Sequence, residues 1–232
     1  MRTVIHLLLF ALLIVGVWQA KIYAEREFPE DLPWTPLVIE QPVGAATQTK
    51  ITQLTGDKPR CLALFSESEL SVVPRDDERV NETCAQVDSV SLEQMTAGYA
   101  PGTVRLACPL AAALAIWETN VVQPAAERTL GSAVARIDHL GTYSCRRMYG
   151  AAEGRWSKHA TAEAIDIAGF RLEDGRRISL IEDWGADSDA GAFLEEIRTG
   201  ACDIFGTLLG PDYNAAHRDH FHLEATGFGT CR

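Results

Sequence analysis

The chain has 232 residues, 47% of them hydrophobic and 23% charged, which suits one folded domain plus a tethering segment better than two domains. Its formal charge of −11 argues against a polyphosphate partner, because a nucleic acid needs a basic face. Most acidic residues lie singly among apolar ones and confer solubility, so an anionic polymer would have to be gripped locally.

After Met1-Arg2-Thr3, residues 4–18 are apolar except for His6. The run from Val4 to Ala20 is near the short end of a bilayer-spanning helix, roughly 17–25 residues. Signal peptidase needs small residues one and three positions before its cut. Cutting after Ala20 places Trp18 at the third position, and cutting after Ala24 places Ile22 there. Residues 1–24 are therefore expected to be an uncleaved inner-membrane anchor, with a cleaved signal segment as the alternative. Arg2 and the amino terminus give it a weak inside orientation. Residues 25–58 contain Pro29, Pro33, Pro36 and Pro42 and polar runs such as Ala45 to Lys50, the composition of a linker that lifts a domain off the membrane. The folded domain is expected to occupy residues 59–232.

Six cysteines (Cys61, Cys84, Cys108, Cys145, Cys202 and Cys231) are scattered through that domain without a CxxC pair. Scattered, even-numbered cysteines suit disulfides in an oxidising compartment such as the periplasm, and six allow 15 connectivities. Residues 109–118 predict a helix with Pro109 in its first turn, and residues 124–130 a second, closed by Gly131. The alternation of Val134 to Leu140 predicts a strand. Residues 164–170 and 177–182 flank Glu173-Asp174-Gly175 and predict a hairpin. Ser188 or Asp189 caps a helix expected to run to about Leu209, and residues 217–225 close the chain as a strand. The expected fold is α+β, an antiparallel sheet with flanking helices.

Chemistry concentrates in two segments that hold four of the six histidines: Ser157-Lys-His159 with Asp166, and His217-Arg-Asp219-His220-Phe-His222-Leu-Glu224. On a strand, His220, His222 and Glu224 share one face while Phe221 and Leu223 anchor the other. Two imidazoles on a stiff strand, with a third histidine and a carboxylate upstream, point to metal-assisted hydrolysis. A catalytic zinc commonly takes three protein ligands and leaves one position for water. His159, Asp166 and His222 are one such set, and His217 or Glu224 are equally eligible on spacing alone. Asp219 or Glu224 could fix a ligand tautomer.

The block Ser157-Lys-His159-Ala-Thr-Ala162-Glu-Ala164-Ile-Asp166 resembles the SxHxxGxAxD motif of the LAS-group zinc D-Ala-D-Ala peptidases, and His220-Phe-His222 resembles their HxH. With His217 three positions ahead, the pattern is similar to that of the murein endopeptidase MepA. Across most of residues 60–232 the chain resembles the bacterial family named for an extensin-like C-terminal domain. The match lies in Cys108-Pro-Leu, Gly141-Thr-Tyr-Ser-Cys-Arg146, the SxH block and Asn214-Ala-Ala-His217. The resemblance implies a LAS-peptidase-like sheet carrying the metal site. It implies Zn2+ held by His159, Asp166 and His222, His220 beside the zinc-bound water, and Ser157 in a supporting place. It also implies Arg146 as a contact for a substrate carboxylate, with His217 and Asp219 close by, and peptidoglycan peptides as the partner. Ala162 stands where the motif has glycine, a mild change if the backbone there is ordinary. A zinc-containing cell-wall binding module without turnover, or a disulfide-stapled envelope scaffold, are the competing expectations.

Overall fold

The computed structural model describes residues 2–227 and 229–232. Helix α1 (Arg2–Glu27) buries none of its residues against the rest of the chain. With a mean hydropathy of 2.1 over its apolar window it is long and apolar enough to cross a membrane, and a signal sequence has the same properties.

The segment expected as a linker is folded onto the domain. Helix α2 (Thr47–Thr52) contributes Ile51, which joins Leu37, Ile39 and Leu54 in the main core. Lys50 is 1% exposed, and its ammonium donates to the carbonyls of Pro29 (2.7 Å) and Pro36 (3.3 Å) and to Thr35 Oγ1 (2.8 Å). All three ammonium donors are thus satisfied, which is what makes a buried lysine tolerable. The prolines shape turns around that ammonium, and four well-spaced aliphatic residues suffice to anchor the segment.

Helix α3 (Lys58–Ser66) is capped by Asp57 and tied through Cys61–Cys108 to α4 (Cys108–Trp117). Between them, β1 (Ser71–Pro74), β4 (Ser89–Gln94) and β6 (Arg105–Ala107) form a three-stranded antiparallel sheet. Strands β2 (Glu78–Arg79) and β3 (Ala85–Gln86) make a separate ribbon, and β5 (Gly98–Ala100) joins the main sheet. Every residue of α4 is buried, because alanines at alternate contacts let strands and helices approach on all sides. Trp117 closes this helix, its indole N–H donating to the Ile197 carbonyl (2.9 Å) between the rings of Phe170 and Phe205. A π turn (Glu118–Val122) leads into α5 (Gln123–Leu130), where Pro124 cannot donate to the carbonyl four residues back. Gly131, at φ +66°, ends α5 as the sequence predicts.

The main sheet continues with β7 (Val134–Gly141), β8 (Ala164–Leu172) and β9 (Arg177–Ser179). Helices α6 (Leu180–Asp183) and α7 (Asp189–Ala201) follow, then β10 (Thr207–Leu209), β11 (Phe221–Glu224) and β12 (Thr230–Cys231). Its order is β12-β10-β11-β8-β7-β5, with β9 also paired to β8. The β8–β9 hairpin forms, but its second arm stops at Ser179 rather than Glu182, since α6 begins at Leu180. Pairing is antiparallel except at β5–β7 and β10–β12. The fold is therefore α+β, stapled by Cys61–Cys108, Cys84–Cys145 and Cys202–Cys231.

Two further expected boundaries move. Helix α7, capped by Ser188, stops at Ala201 rather than near Leu209. Gly200 lies so close to Val121 that a Cβ would come within 2.5 Å of it, and Gly206 lies against Gly227. Close backbone contacts and pairing with β11 override the apolar stripe that continues the helical pattern. The closing strand begins at Phe221 rather than His217, which instead ends a 3-10 turn (Ala215–His217).

Glu118, in the π turn, is completely buried and accepts from the Ala97 N–H (2.9 Å) and the Tyr99 hydroxyl. Burial raises its carboxyl to about 7 from 4.5, against the opposing pull of those two hydrogen bonds. Between these values the folded state holds a proton that the unfolded state has lost, so stability falls as pH rises through the window. The expected loss is about 3 kcal/mol between pH 4.5 and 7.5, and Glu118→Gln should flatten this component of a denaturant-unfolding profile.

Candidate functional site

The site is built on the face of the main sheet opposite the core. Antiparallel pairing of β8 and β11 sets His222 directly opposite Asp166, with Ile165, Ile167, Phe221 and Leu223 buried. His159 arrives from outside the sheet, on a 3-10 turn (Lys158–Thr161) whose cap is Ser157, its hydroxyl accepting from the His159 N–H (3.2 Å). Ser157 thus supports the site through backbone geometry. The turn ends at Ala162 with φ +54°, the left-handed conformation that glycine adopts freely. The condition set for a mild glycine-to-alanine change, an ordinary backbone, is not met, since Ala162 is in the left-handed region as well as completely buried. Ala162→Gly removes about 1 kcal/mol of strain and about 0.8 kcal/mol of methyl burial, so it should be near neutral. Ala112→Gly, equally buried but helical, should cost about 2 kcal/mol in the same unfolding measurement.

The imidazole nitrogens can be assigned from their partners. His159 Nδ1 lies 3.2 Å from the Thr142 carbonyl, an acceptor only, so it carries the proton and leaves Nε2 bare. That Nε2 lies 3.1 Å from Asp166 Oδ2 and 3.3 Å from His222 Nδ1. His222 Nε2 faces Glu224 Oε1 at 3.0 Å, and its Nδ1 lies 2.8 Å from Asp166 Oδ1. With each ring's proton on its outer nitrogen, two imidazole lone pairs and a carboxylate converge on one point. Such an arrangement demands either second protons on the rings or a cation between them.

Protons alone produce a tight ionic cluster. Burial disfavours charge on Asp166, but hydrogen bonds from His159 and His222 outweigh it and hold the carboxyl well below the usual range. Burial likewise opposes charge on His222, yet its bonds to Asp166 and Glu224 raise the ring to about 9. The donor set also fits the cation alternative: one atom from each of His159, Asp166 and His222 lies within 4.8 Å of the other two. Two imidazole nitrogens and a carboxylate oxygen are the donors of a three-ligand zinc site.

The other expected residues gather around this cluster. His220, just before β11, points Nε2 at Asp166 Oδ1 (3.5 Å), while its Nδ1 meets Asp219 Oδ1 at 2.9 Å. His217 is buried beside it, with ring centroids 5.3 Å apart, and its Nδ1 contacts Asn214 Oδ1 at 2.9 Å. Burial, then the neighbouring His220 and His222, lowers His217 to about 4, which keeps it neutral at pH 7. A cavity of about 530 Å³ opens above, with Arg146, Trp156 and Lys158 among its lining residues on the 146–158 arm and Leu209 and Tyr213 on the far wall. Cys84–Cys145 pins that arm beside Arg146, and Arg147 stacks over Trp156 at 4.5 Å.

Three contributors escape a side-chain reading of the sequence. The Thr142 carbonyl is a backbone atom, so no residue type announces it. Tyr149, whose ring meets His217 edge-on, sits in a left-handed turn without a motif. Asn214 caps the 3-10 turn that stands where the sequence predicts the closing strand to begin, and its Oδ1 also contacts the His217 ring. His139 stays outside the site, buried on the core side of β7.

Fold and site together define a disulfide-stapled α+β domain with a histidine–aspartate cluster on the floor of an open cavity. Over residues 59–232 the sequence matches the family described as extensin-like protein C-terminus, and the chain belongs to that family. No curated protein and no solved structure matches the chain significantly.

Proposed function

We propose that this chain is a zinc-dependent peptidase of cell-wall stem peptides or cross-links, with a LAS-peptidase-like fold. In this reading α1 anchors it in the inner membrane and the domain works in the periplasm. The observation that carries the proposal is the convergence of one nitrogen from each of two imidazoles and one carboxylate oxygen beneath a cavity. Their outer nitrogens are already committed to Thr142 and Glu224. Pairing of all six cysteines supports an oxidising compartment.

His159, Asp166 and His222 would hold the zinc, which supplies a Lewis acid that polarises an amide carbonyl and makes water a nucleophile near neutral pH. The protein's own contribution centres on His220. Nδ1–H of His220 would donate to the Asp219 carboxylate, leaving Nε2 to accept a proton from the attacking water and return it to the leaving amine. Arg146, which lines the cavity, would fork onto a peptide carboxylate and so hold the scissile bond over the cluster. His217, neutral and held by Asn214, packs against His220 and restricts its movement.

Metal analysis of the purified full-length chain tests the cluster. One equivalent of zinc is expected in wild type and its loss in His159→Ala; a wild type that binds no stoichiometric metal would sink the reading.

A further inference from the structure

We propose that Glu224 is a positioning residue that selects which nitrogen of His222 faces the cluster, an inference that rests on the metal-site reading above. An imidazole can bind through either nitrogen, and the tautomer is set by whatever takes the proton from the other. Here the geometry is specific. His222 turns Nδ1, the nitrogen nearer the backbone, toward Asp166 and His159, and its outer Nε2 lies 3.0 Å from Glu224 Oε1.

The strand provides this contact directly. Residues two apart on β11 share a face, so Glu224 stands beside His222 by construction. Its backbone is held from both sides, by Ala164 on β8 and Thr207 on β10. Ala164 is the small residue opposite, which leaves room for the carboxylate to lie along the sheet toward the imidazole. Glu224 is mostly buried, its side chain 17% exposed, so the bond is little weakened by solvent. A carboxylate already engaged with the far edge of a ligand ring is poorly placed to act as a base on substrate. Its chemistry suits holding: it keeps Nε2 protonated, Nδ1 bare and the ring in one orientation.

The measurement is zinc affinity of the full-length chain, by competition with a chromophoric chelator, for wild type, Glu224→Gln and Glu224→Ala. The alanine variant is expected to bind zinc about 10- to 100-fold more weakly. Glutamine, whose carbonyl still accepts the Nε2 proton but without charge, should fall between. Zinc-free Glu224→Gln, which keeps the hydrogen bond, should melt close to wild type, so its weaker zinc binding separates positioning from folding, whereas zinc-free Glu224→Ala should melt lower. Wild-type affinity in the alanine variant would overturn the role of Glu224 while leaving the metal site intact. If alanine prevents folding, the isosteric glutamine variant decides: weakened binding supports the role, and wild-type affinity overturns it. A wild type that binds no zinc removes the metal-site reading, and this inference with it.

Discussion

Replacing His220 by alanine is expected to lower turnover of muropeptides about 10²- to 10⁴-fold while zinc stoichiometry stays at the wild-type level. The asymmetry follows from placement. His220 lies 3.5 Å from Asp166 but outside the trio His159, Asp166 and His222, whose donor atoms lie within 4.8 Å of one another. His222→Ala should behave differently, because it removes a donor and leaves Glu224 without its partner, so zinc and turnover fall together. Steady-state kinetics and metal analysis on the same preparations separate the two patterns. A His220→Ala enzyme that keeps full turnover would remove the proton-transfer role. Asp219→Asn should give a milder loss, because its carboxylate is 41% exposed and acts only by fixing the His220 ring.

The largest effect on stability is expected from the double variant Cys84→Ala/Cys145→Ala. This disulfide closes a 61-residue separation, and removing a cross-link of that span is worth about 4 kcal/mol in the chain-entropy account. Chemical denaturation checks the figure directly. The same bond pins the segment that carries Arg146, whereas the cluster itself rests on β8, β11 and the 157–162 turn. KM should therefore rise more than kcat falls, with zinc retained. Equal losses in kcat and in zinc content would mean that the arm supports the cluster as well as the cavity wall. Removing Cys202–Cys231, which closes a 29-residue separation, should cost less and leave the Arg146 wall in place.

The site was more legible in the sequence than its surroundings, and the reason is the short period of a strand. Alternation alone places His222 and Glu224 on one face with Phe221 and Leu223 behind them, and the structure has that arrangement. Ser157, His159 and Asp166 are joined by the resemblance of their block to SxHxxGxAxD, since spacing alone leaves His217 and Glu224 equally eligible. The rest depended on contacts that no local pattern encodes. Residues 25–58 read as a linker because four prolines and polar runs mark their composition. Four aliphatic side chains and the satisfied ammonium of Lys50 nevertheless fix the segment in the fold. The apolar stripe beyond Ala201 obeys the helical period, but Gly206 meeting Gly227 and the pairing of β10 with β11 end the helix. Ala162 reads as mild only on the condition of an ordinary backbone, and its positive φ, which no residue type announces, fails that condition. Glu118 gave no signal at all, since a lone glutamate after an apolar helix ordinarily faces water.

The central claim is that the cluster works as a zinc centre on peptidoglycan peptides. Its most direct test is mass spectrometry of isolated sacculi incubated with the full-length chain and zinc. Amide bonds of stem peptides or cross-links should be cut by wild type, and the products should disappear with chelator or with His220→Ala. Sacculi left intact by zinc-loaded wild type, while the protein still binds them, would contradict the enzymatic account.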